Sequence, residues 1–427
     1  MILTVVLAAA LLFGLGAVVG RTRGTESSSV WSESAQTAAP AAKLPAAIAA
    51  YQERLRKVPG DWTAWAALGS AYLEQARAVA DPSYYPKAEG ALQKSLQVRP
   101  GNALGLAGLG ALANARHDFA GAKGYAQQAL ATDAYSDTAY GVLADAETQL
   151  GHPAEASDAV QRMLDLRPGL ASYTRASYDL EQHGRRTEAI DLMRKALAAA
   201  TEPADVAFCH QHLAALAWMA GDLATAASEV TLGLAADDAI AGLWQLKARL
   251  DAADGRLDAA LADLEKVVTR TPTVDALVEQ ARMLTAAGKD PAPALRLAEA
   301  SHKLFTANGG TDDLGAAALA MAAGRPAEAA ELAKHEWDRR QFAEVADMVA
   351  WSLNAAGRPA EALPYIQRAE ALGQLDPTVA YHHGMIALAA GDRVTAKLQL
   401  QLALSLNPHF SPVDAPAAQR ALATLEP

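Results

Sequence analysis

Hydrophobic and polar residues alternate along most of this chain with the period of an α-helix. Two amphipathic stretches, separated by a short turn, form a unit that is repeated through the last two-thirds of the sequence. A glycine follows the first stretch of each unit, at Gly151, Gly184, Gly221, Gly255, Gly288, Gly324, Gly357 and Gly391, with gaps of 33, 37, 34, 33, 36, 33 and 34 residues. A period in this range is typical of helical solenoids. We expect each glycine to end a first helix in left-handed backbone, which other residues adopt at a cost.

The residues after each glycine predict the start and the packing face of a second helix. Proline suits the first helical turn in three units (Pro153, Pro326 and Pro359), and Asp222 and Asp392 suit the N-cap in two others. An alanine five residues after the glycine, and a larger apolar residue four positions later, mark the face that packs on the first helix. These are Ala156, Ala189, Ala226, Ala260, Ala329, Ala362 and Ala396, followed by Val160, Met193, Val230, Leu264, Ile366 and Leu400.

One unit carries a recognisable set of residues: Trp65, Leu68, Gly69 and Tyr72 on the first helix, then Ala88, Leu92 and Pro100. With the period, this set resembles the tetratricopeptide repeat (TPR) family. The resemblance covers Pro59 to Pro408, about ten units, and implies an all-α, right-handed superhelical solenoid of helix pairs. Pro45–Lys57 is predicted to form an N-terminal half-unit, and Pro416–Leu425 a C-terminal capping helix that covers the last apolar face.

Three regions depart from the repeat. Residues 80–86 contain Asp-Pro and Tyr-Pro steps and predict a bent loop between the helices of the first full unit. Residues 114–118 replace the glycine turn of the next unit. Pro293 stands where the packing alanine is expected, so the register is least determined between residues 290 and 310.

The N-terminal segment predicts a membrane anchor. Met1–Gly20 contains no charged side chain and as a helix would span about 30 Å, the thickness of a bilayer core. We expect an uncleaved transmembrane anchor in residues 1–20. A cleaved signal segment and a mis-assigned start are the alternatives. Residues 21–42 predict a flexible linker rich in Ser, Thr and Ala, and residues 43–427 the solenoid.

Two observations give opposite orientations for this anchor. Arg21 and Arg23 come directly after the apolar segment, and the positive-inside rule would place them in the cytoplasm. The linker and the small residues before it favour export of the chain beyond the segment. We expect a single-pass protein of the cell membrane with the solenoid on the extracytoplasmic side, or exported if the segment is cleaved. The cytoplasm stays open as the alternative.

The composition and the absence of catalytic motifs exclude several classes of function. The net charge is −11, with no basic stripe, so we expect no nucleic-acid partner. A single cysteine, Cys209, rules out an intramolecular disulfide. Cys209 and His212 share a helix face but make an incomplete metal site. The chain lacks a phosphate-binding loop and a nucleophile motif. We therefore predict a non-enzyme without catalytic residues, cofactor, metal or small-molecule substrate.

The first helices of a stacked array line its concave surface, which is the usual binding face. The predicted groove residues are Asp145, Tyr178, Glu181, Trp218, Arg249, Arg282, Trp351, Tyr381 and Met385, with Gln149, Gln211, Gln245 and Asp347 beside them. Trp218, Tyr381 and the other large groups are expected outside the core, as anchors for a partner. Arg249 and Arg282 occupy equivalent positions and could hold one carboxylate together. The alternative is that each packs on its neighbours or is solvated.

These observations predict a non-enzymatic interaction scaffold. It would bind a peptide or protein in the concave groove and be tethered to a membrane through residues 1–20. An assembly or regulatory accessory subunit of a membrane complex is the alternative.

Overall fold

The structure is a computed structural model and describes residues 43–425. Within that range the chain forms α-helices, one 3-10 helix and no strand. The helices of the first half are α1 (Leu44–Lys57), α2 (Trp62–Val79), α3 (Tyr85–Val98), α4 (Ala103–Ala115), α5 (Phe119–Thr132), α6 (Asp137–Leu150), α7 (Pro153–Leu166), α8 (Leu170–Gln182), α9 (Arg186–Ala199), α10 (Pro203–Met219) and α11 (Leu223–Ala236). Those of the second half are α12 (Ala241–Ala253), α13 (Leu257–Arg270), α14 (Val274–Ala286), α15 (Ala292–Ala307), α16 (Asp313–Ala322), α17 (Pro326–Arg339), α18 (Ala343–Ala355), α19 (Pro359–Ala369), α20 (Pro377–Ala389), α21 (Arg393–Leu406) and α22 (Asp414–Ala423).

The predicted all-α solenoid is confirmed. Helices α2 to α21 form ten consecutive pairs, each first helix packing on the second helix that comes after it. First helices also contact the first helices of neighbouring pairs, as α4 does with α2 and α6. Helix α1 packs on α2 as the half-unit, and α22 covers α20 and α21 as the cap, so both terminal helices are confirmed.

The glycine turns have the predicted geometry. All eight glycines of the repeat lie at φ between +68° and +87°. Pro153 begins α7 as its first helical residue, and the side chain of Asp222 accepts a hydrogen bond from the Thr225 amide at 3.0 Å. The seven packing alanines are at most 2 % exposed. In the irregular region the buried alanines of α15 are Ala294 and Ala298, so the packing alanine comes six residues after Gly288, one later than in the other units.

The first two units are irregular, as expected. Ala80 ends α2 at φ +49°, and residues Pro82–Tyr84 form a 3-10 turn before α3. In the next unit His117 takes the position of the glycine at φ +60°. Left-handed backbone costs a non-glycine residue about 1–2 kcal/mol. The His117 ring stacks on Phe119, with centroids 5.6 Å apart, and contacts Phe305 at 5.2 Å, which offsets part of that cost.

First and second helices differ in how much of their surface is covered. In α4 every residue from Gly105 to Ala113 is buried, because the helix has partners on nearly all sides. In α7 only Ala156, Ala159, Val160 and Met163 are buried, on one face. The first helices therefore form the inner layer of the solenoid and the second helices the outer one.

No helix between residues 43 and 425 is long and apolar enough to span a bilayer. The predicted anchor (1–20) and linker (21–42) lie outside the described residues.

Candidate functional site

The solenoid coils until its later units touch its earlier ones. Several hydrogen bonds cross this contact, and three of them define its main part. The Gln341 amide donates to the Leu150 carbonyl at 3.3 Å, and Arg186 Nη2 donates to the Leu375 carbonyl at 2.9 Å. Asn407 Nδ2 donates to the Trp218 carbonyl at 2.8 Å. The last two bonds each join residues 189 apart in sequence. We call this surface the inter-turn contact.

The inter-turn contact divides the glycine turns into two groups. A β-carbon on Gly151, Gly184 or Gly221 would lie 2.4, 2.3 or 2.5 Å from a backbone carbonyl oxygen of the later units. A β-carbon on Gly255, Gly288, Gly324, Gly357 or Gly391 would meet nothing within 4 Å. The first three glycines therefore serve both the helix end and the close approach of the next superhelical turn.

The contact continues toward the N-terminal units through an aromatic and a charged group. The Phe305 ring lies 6.2 Å from that of Tyr85, edge to face, and the Thr311 amide donates to the Arg116 carbonyl at 3.0 Å. Arg340 donates to the side chains of Gln149 and Glu336. Most of these partners are polar or backbone groups, in contrast to the apolar interfaces between adjacent helices.

Because of this coiling, several predicted groove residues are not on an open surface. Trp218 and Tyr381 are each 4 % exposed, so the expectation that they lie outside the core is wrong. The loop at Asn407 covers the end of α10 next to Trp218. Tyr381 packs with Phe410 and the capping helix, at 5.7 Å between ring centroids. Trp351 and Met385 are half-buried against the same cluster.

The charged groove residues mostly have partners from the chain itself. Asp145 is buried in a two-bond ion pair with Arg175, at 2.9 Å for each bond. Arg249 pairs with Glu279 at 2.6 Å. Arg282 pairs with Asp414 at 2.6 Å, so the two predicted arginines do not hold one carboxylate together.

Tyr178 and Glu181 lie elsewhere, in a cavity at the inter-turn contact. The cavity has a volume of ≈ 40 Å³, enough for about three water molecules. Its wall combines residues of α8 and α10 with residues of α18, α19, α20 and the loop before α20. They are Tyr178, Glu181, Gln182, Ala215, Met219, Phe342, Ala343, Glu344, Ala369, Gln374 and Val379. The cavity therefore depends on the contact between superhelical turns.

The environment of this cavity disfavours the ionised form of its carboxyl groups. Burial raises the pKa of Glu181 to about 7, with a further rise from Asp376 and an opposing effect of Arg186. Burial raises the pKa of Glu344 to about 8. Arg340 lowers that pKa, whereas Asp275, Asp347 and Asp312 raise it further. The interior at this level holds more acidic than basic groups.

Further acids extend along the interior. Burial raises the pKa of Asp275 to about 7 and that of Asp376 to about 6. Asp347 is buried and pairs with His382 Nδ1 at 2.7 Å, and the His382 ring stacks on Trp351 at 4.1 Å. The predicted groove is thus a narrow, largely acidic interior.

Sequence reasoning missed Gln182, Glu344, Gln374 and Asp376 as interior residues. Glu344 starts a first helix, and Gln374 and Asp376 lie in the loop before one, so none stands at a groove position of its own unit. Glu344 and Gln374 reach the cavity, and Asp376 comes near Glu181, only because a later superhelical turn meets an earlier one. The repeat period contains no signal for that meeting.

The other candidate cluster is structural. Cys209 is fully buried beside Met193 and Phe208, and burial raises the pKa of its thiol to about 12. The His212 ring packs on Phe208 with centroids 4.2 Å apart. Among residues 43–425, no group of three or more His, Cys, Asp and Glu side chains is arranged to hold a metal ion.

No protein-family model and no curated protein matches this chain. Solved structures, in contrast, do match this chain. The human IFIT1 dimer with m7Gppp-AAAA superposes with a TM-score of 0.50 at 16% identity, over 76% of each chain. A tetratricopeptide repeat protein from Parabacteroides merdae ATCC 43184 is 17% identical over 60% of this chain and 98% of its own, with a TM-score of 0.37. The APC/C hetero-tetramer Cut9-Hcn1 is 12% identical over 89% and 93%, with a TM-score of 0.40. The fold is TPR-like, and identities this low show the fold alone.

Proposed function

We propose that this chain is a non-enzymatic interaction scaffold whose partner is a protein or peptide that reaches the interior of the superhelix. One observation carries the proposal. The inner layer of the solenoid leaves a cavity whose carboxylates, Glu181 and Glu344, form no ion pair within the described residues, whereas the predicted groove residues Asp145, Arg249 and Arg282 are paired. Ionisable groups left in such an environment are typical of sites that receive a partner.

The charge of the molecule supports a protein over a nucleic acid as that partner. The structure of human IFIT1 contains m7Gppp-AAAA. In the present chain the net charge is −11 and the cavity carries Glu181 and Glu344, which would repel phosphate groups.

Site-specific photo-crosslinking tests the scaffold. A photoreactive residue in place of Tyr178, in the cavity wall, is compared with one in place of Leu398, which is 62 % exposed on the outer helix α21. In cells that express the full chain, we expect a discrete crosslinked protein from position 178 and none of that mass from position 398. Identical products from both positions, or no product from position 178, would contradict the proposal.

We further propose that residues 1–20 tether the scaffold to a membrane, with the solenoid on the extracytoplasmic side. The absence of charged side chains in Met1–Gly20 supports this tether. The full chain is expected in the membrane fraction after alkaline extraction, whereas a chain lacking residues 1–20 is expected in the supernatant. Protease added to intact cells should then degrade the solenoid of the full chain, and protection of the solenoid would reverse the orientation.

A further inference from the structure

The cavity at the inter-turn contact has the chemistry of a site for one particular cation. Five polar side chains border it: Tyr178, Glu181, Gln182, Glu344 and Gln374. All can accept hydrogen bonds. The remaining wall is apolar, with Met219, Phe342 and Val379 as its larger members.

Gln182 offers an unpartnered amide to the cavity. Its side chain is only 6 % exposed and borders the cavity, yet it forms no hydrogen bond within residues 43–425. A polar group in the cavity would give this amide a hydrogen-bonding partner.

The two carboxylates set the charge of that group. Glu181 and Glu344 come from units that are one superhelical turn apart, and neither lies within 4.0 Å of a cationic atom of the described chain. The nearest arginines form no ion pair with these carboxylates: Arg186 donates to the Leu375 carbonyl, and Arg340 donates to Gln149 and Glu336. They act on the two carboxylates from a longer distance and lower their pKa values only in part. A cation in the cavity would neutralise both carboxylates.

The volume and the lining residues of the cavity favour one kind of cation over the others. A metal ion needs several ligands around one point, and the part of the chain that the structure describes offers no such group of three acids, histidines or cysteines. A guanidinium is planar and pairs best with both oxygens of one carboxylate, whereas an ammonium is compact and has three donors. In a volume of ≈ 40 Å³ an ammonium fits with a few methylene groups, which Met219 and Phe342 would cover.

We propose that this cavity binds the side chain of a lysine from the partner, with the ammonium between Glu181 and Glu344 and the methylene groups against Met219 and Phe342. Gln182, Gln374 and Tyr178 supply further acceptors. The inference rests on the proposed scaffold function and specifies a feature of its partner.

Binding has a defined pH dependence. The ammonium pairs with ionised carboxylates, and the pKa of Glu181 is raised to about 7 and that of Glu344 to about 8. Asp376 and Arg186 face Glu181, and Arg340, Asp275, Asp347 and Asp312 face Glu344. Affinity is therefore complete above these pKa values and is lost as the pH falls through them, while the lysine stays charged.

Isothermal titration of the full chain with three capped pentapeptides tests the site. Their central residue is lysine, norleucine or arginine between alanines. At pH 9 the lysine peptide should bind at least about tenfold more tightly than the norleucine peptide, since one charged hydrogen-bonding group is worth that factor. The preference should shrink by about tenfold at pH 6. Equal binding of lysine and norleucine, or tighter binding of arginine, would overturn the ammonium site.

Two isosteric variants locate the site. Glu181→Gln and Glu344→Gln should each lower the affinity for the lysine peptide by about tenfold at pH 9. Glu188→Gln, the same change on the exposed start of α9, should leave it unchanged. Circular dichroism is expected to show all three folded, because the amide keeps the size of the acid. An equal loss in Glu188→Gln would refute the location.

The two proposals fail separately. A discrete crosslink from position 178 without a lysine preference would retain the scaffold and reject the lysine site. A lysine preference that depends on Glu181 and Glu344, without any crosslinked protein, would retain the site and reject the scaffold.

Discussion

The interface between neighbouring units and the inter-turn contact hold this solenoid by different chemistry. Between neighbours, alanines and glycines let large apolar residues fit closely. Leu92 lies against both α2 and α4, where β-carbons on Gly69 and Gly108 would come within 2.5 and 2.3 Å of it. At the inter-turn contact the chain instead uses backbone carbonyls, Asn407 and Arg186. The first interface is local in sequence and apolar, whereas the second is distant in sequence and polar.

The two interfaces therefore control different properties of the molecule, namely its stability and its coiling. Burial of apolar surface supplies most of the free energy of a repeat array, and it acts between nearest neighbours. A few polar bonds add little net stability but fix geometry. We infer that the neighbour interface determines whether the helices fold, and that the inter-turn contact determines how tightly the superhelix coils.

The largest expected effect belongs to the neighbour interface. Leu92→Ala removes a fully buried side chain and should lower the free energy of unfolding by about 2–5 kcal/mol, because a cavity remains beside Gly69 and Gly108. Urea denaturation followed by circular dichroism measures this loss. Leu398→Ala, at a 62 % exposed position, should change stability by less than about 0.5 kcal/mol. Similar losses in the two variants would remove the distinction between core and surface leucines.

A pair of glycine variants separates the two interfaces directly. Gly184→Ala and Gly357→Ala both place alanine at a φ near +70° and should each lose about 1–2 kcal/mol. Only at position 184 does the new methyl group meet a carbonyl oxygen, that of Gly373 at 2.3 Å. X-ray scattering should therefore show a larger radius of gyration for Gly184→Ala alone. An unchanged radius, or equal expansion in both variants, would show that the contact does not set the coiling.

Asn407→Ala should weaken the inter-turn contact by a smaller amount. It removes the side-chain donor to the Trp218 carbonyl, which still accepts from the Gly221 amide at 3.0 Å, so the loss is about 0.5–1.5 kcal/mol. The Gln341 amide, which donates to the Leu150 carbonyl across the same contact, should then exchange with deuterium faster. Asn308→Ala is the control, since the Asn308 amide bonds only within its own helix to the Leu304 carbonyl. Unchanged exchange at Gln341 would mean that the inter-turn bonds act independently of one another.

The stability of the coiled form should also depend on pH. The pKa of Glu344 is raised to about 8 in the folded chain, so the folded state binds more protons than the unfolded state. Stability should therefore fall as the pH rises from the unfolded value near 4.3 through the folded one. Glu344→Gln removes this contribution and should flatten the fall.

Melting temperatures between pH 5 and pH 9 measure this fall. Glu188→Gln is again the matched control, because Glu188 is exposed and pairs with Arg185. A slope in Glu344→Gln as steep as in the unsubstituted chain would contradict the raised pKa.

The same division separates the features that were predictable from the sequence from those that were not. Gly151 and Ala156 lie five residues apart, and the geometry of one helix pair decides both their roles, so the fold and its ten pairs were predictable. The place of the first helices in the inner layer was also predictable. Whether that inner face is open to a partner was not predictable. Each unit turns slightly relative to the last, and such rotations add up over several units.

The candidate site depends on the accumulated rotation of the units along the superhelix. Glu181 was predicted as a groove residue from its own unit, and it does line the cavity. Glu344 joins it only through the pitch of the superhelix, which no short stretch of sequence encodes. Trp218 shows the opposite outcome. Its position in the unit predicted an exposed anchor, but the loop at Asn407, from a later superhelical turn, covers that end of its helix.

The polar nature of the inter-turn contact also bears on how the molecule would respond to force. A pull applied between the two ends loads the bonds from Arg186 and Asn407 before it loads the apolar helix interfaces. These few bonds would break first, and the coil would lengthen as a spring does while every helix pair stays folded. Relaxation would restore them, since their partners remain in place on intact helices. We therefore expect the chain to stretch reversibly.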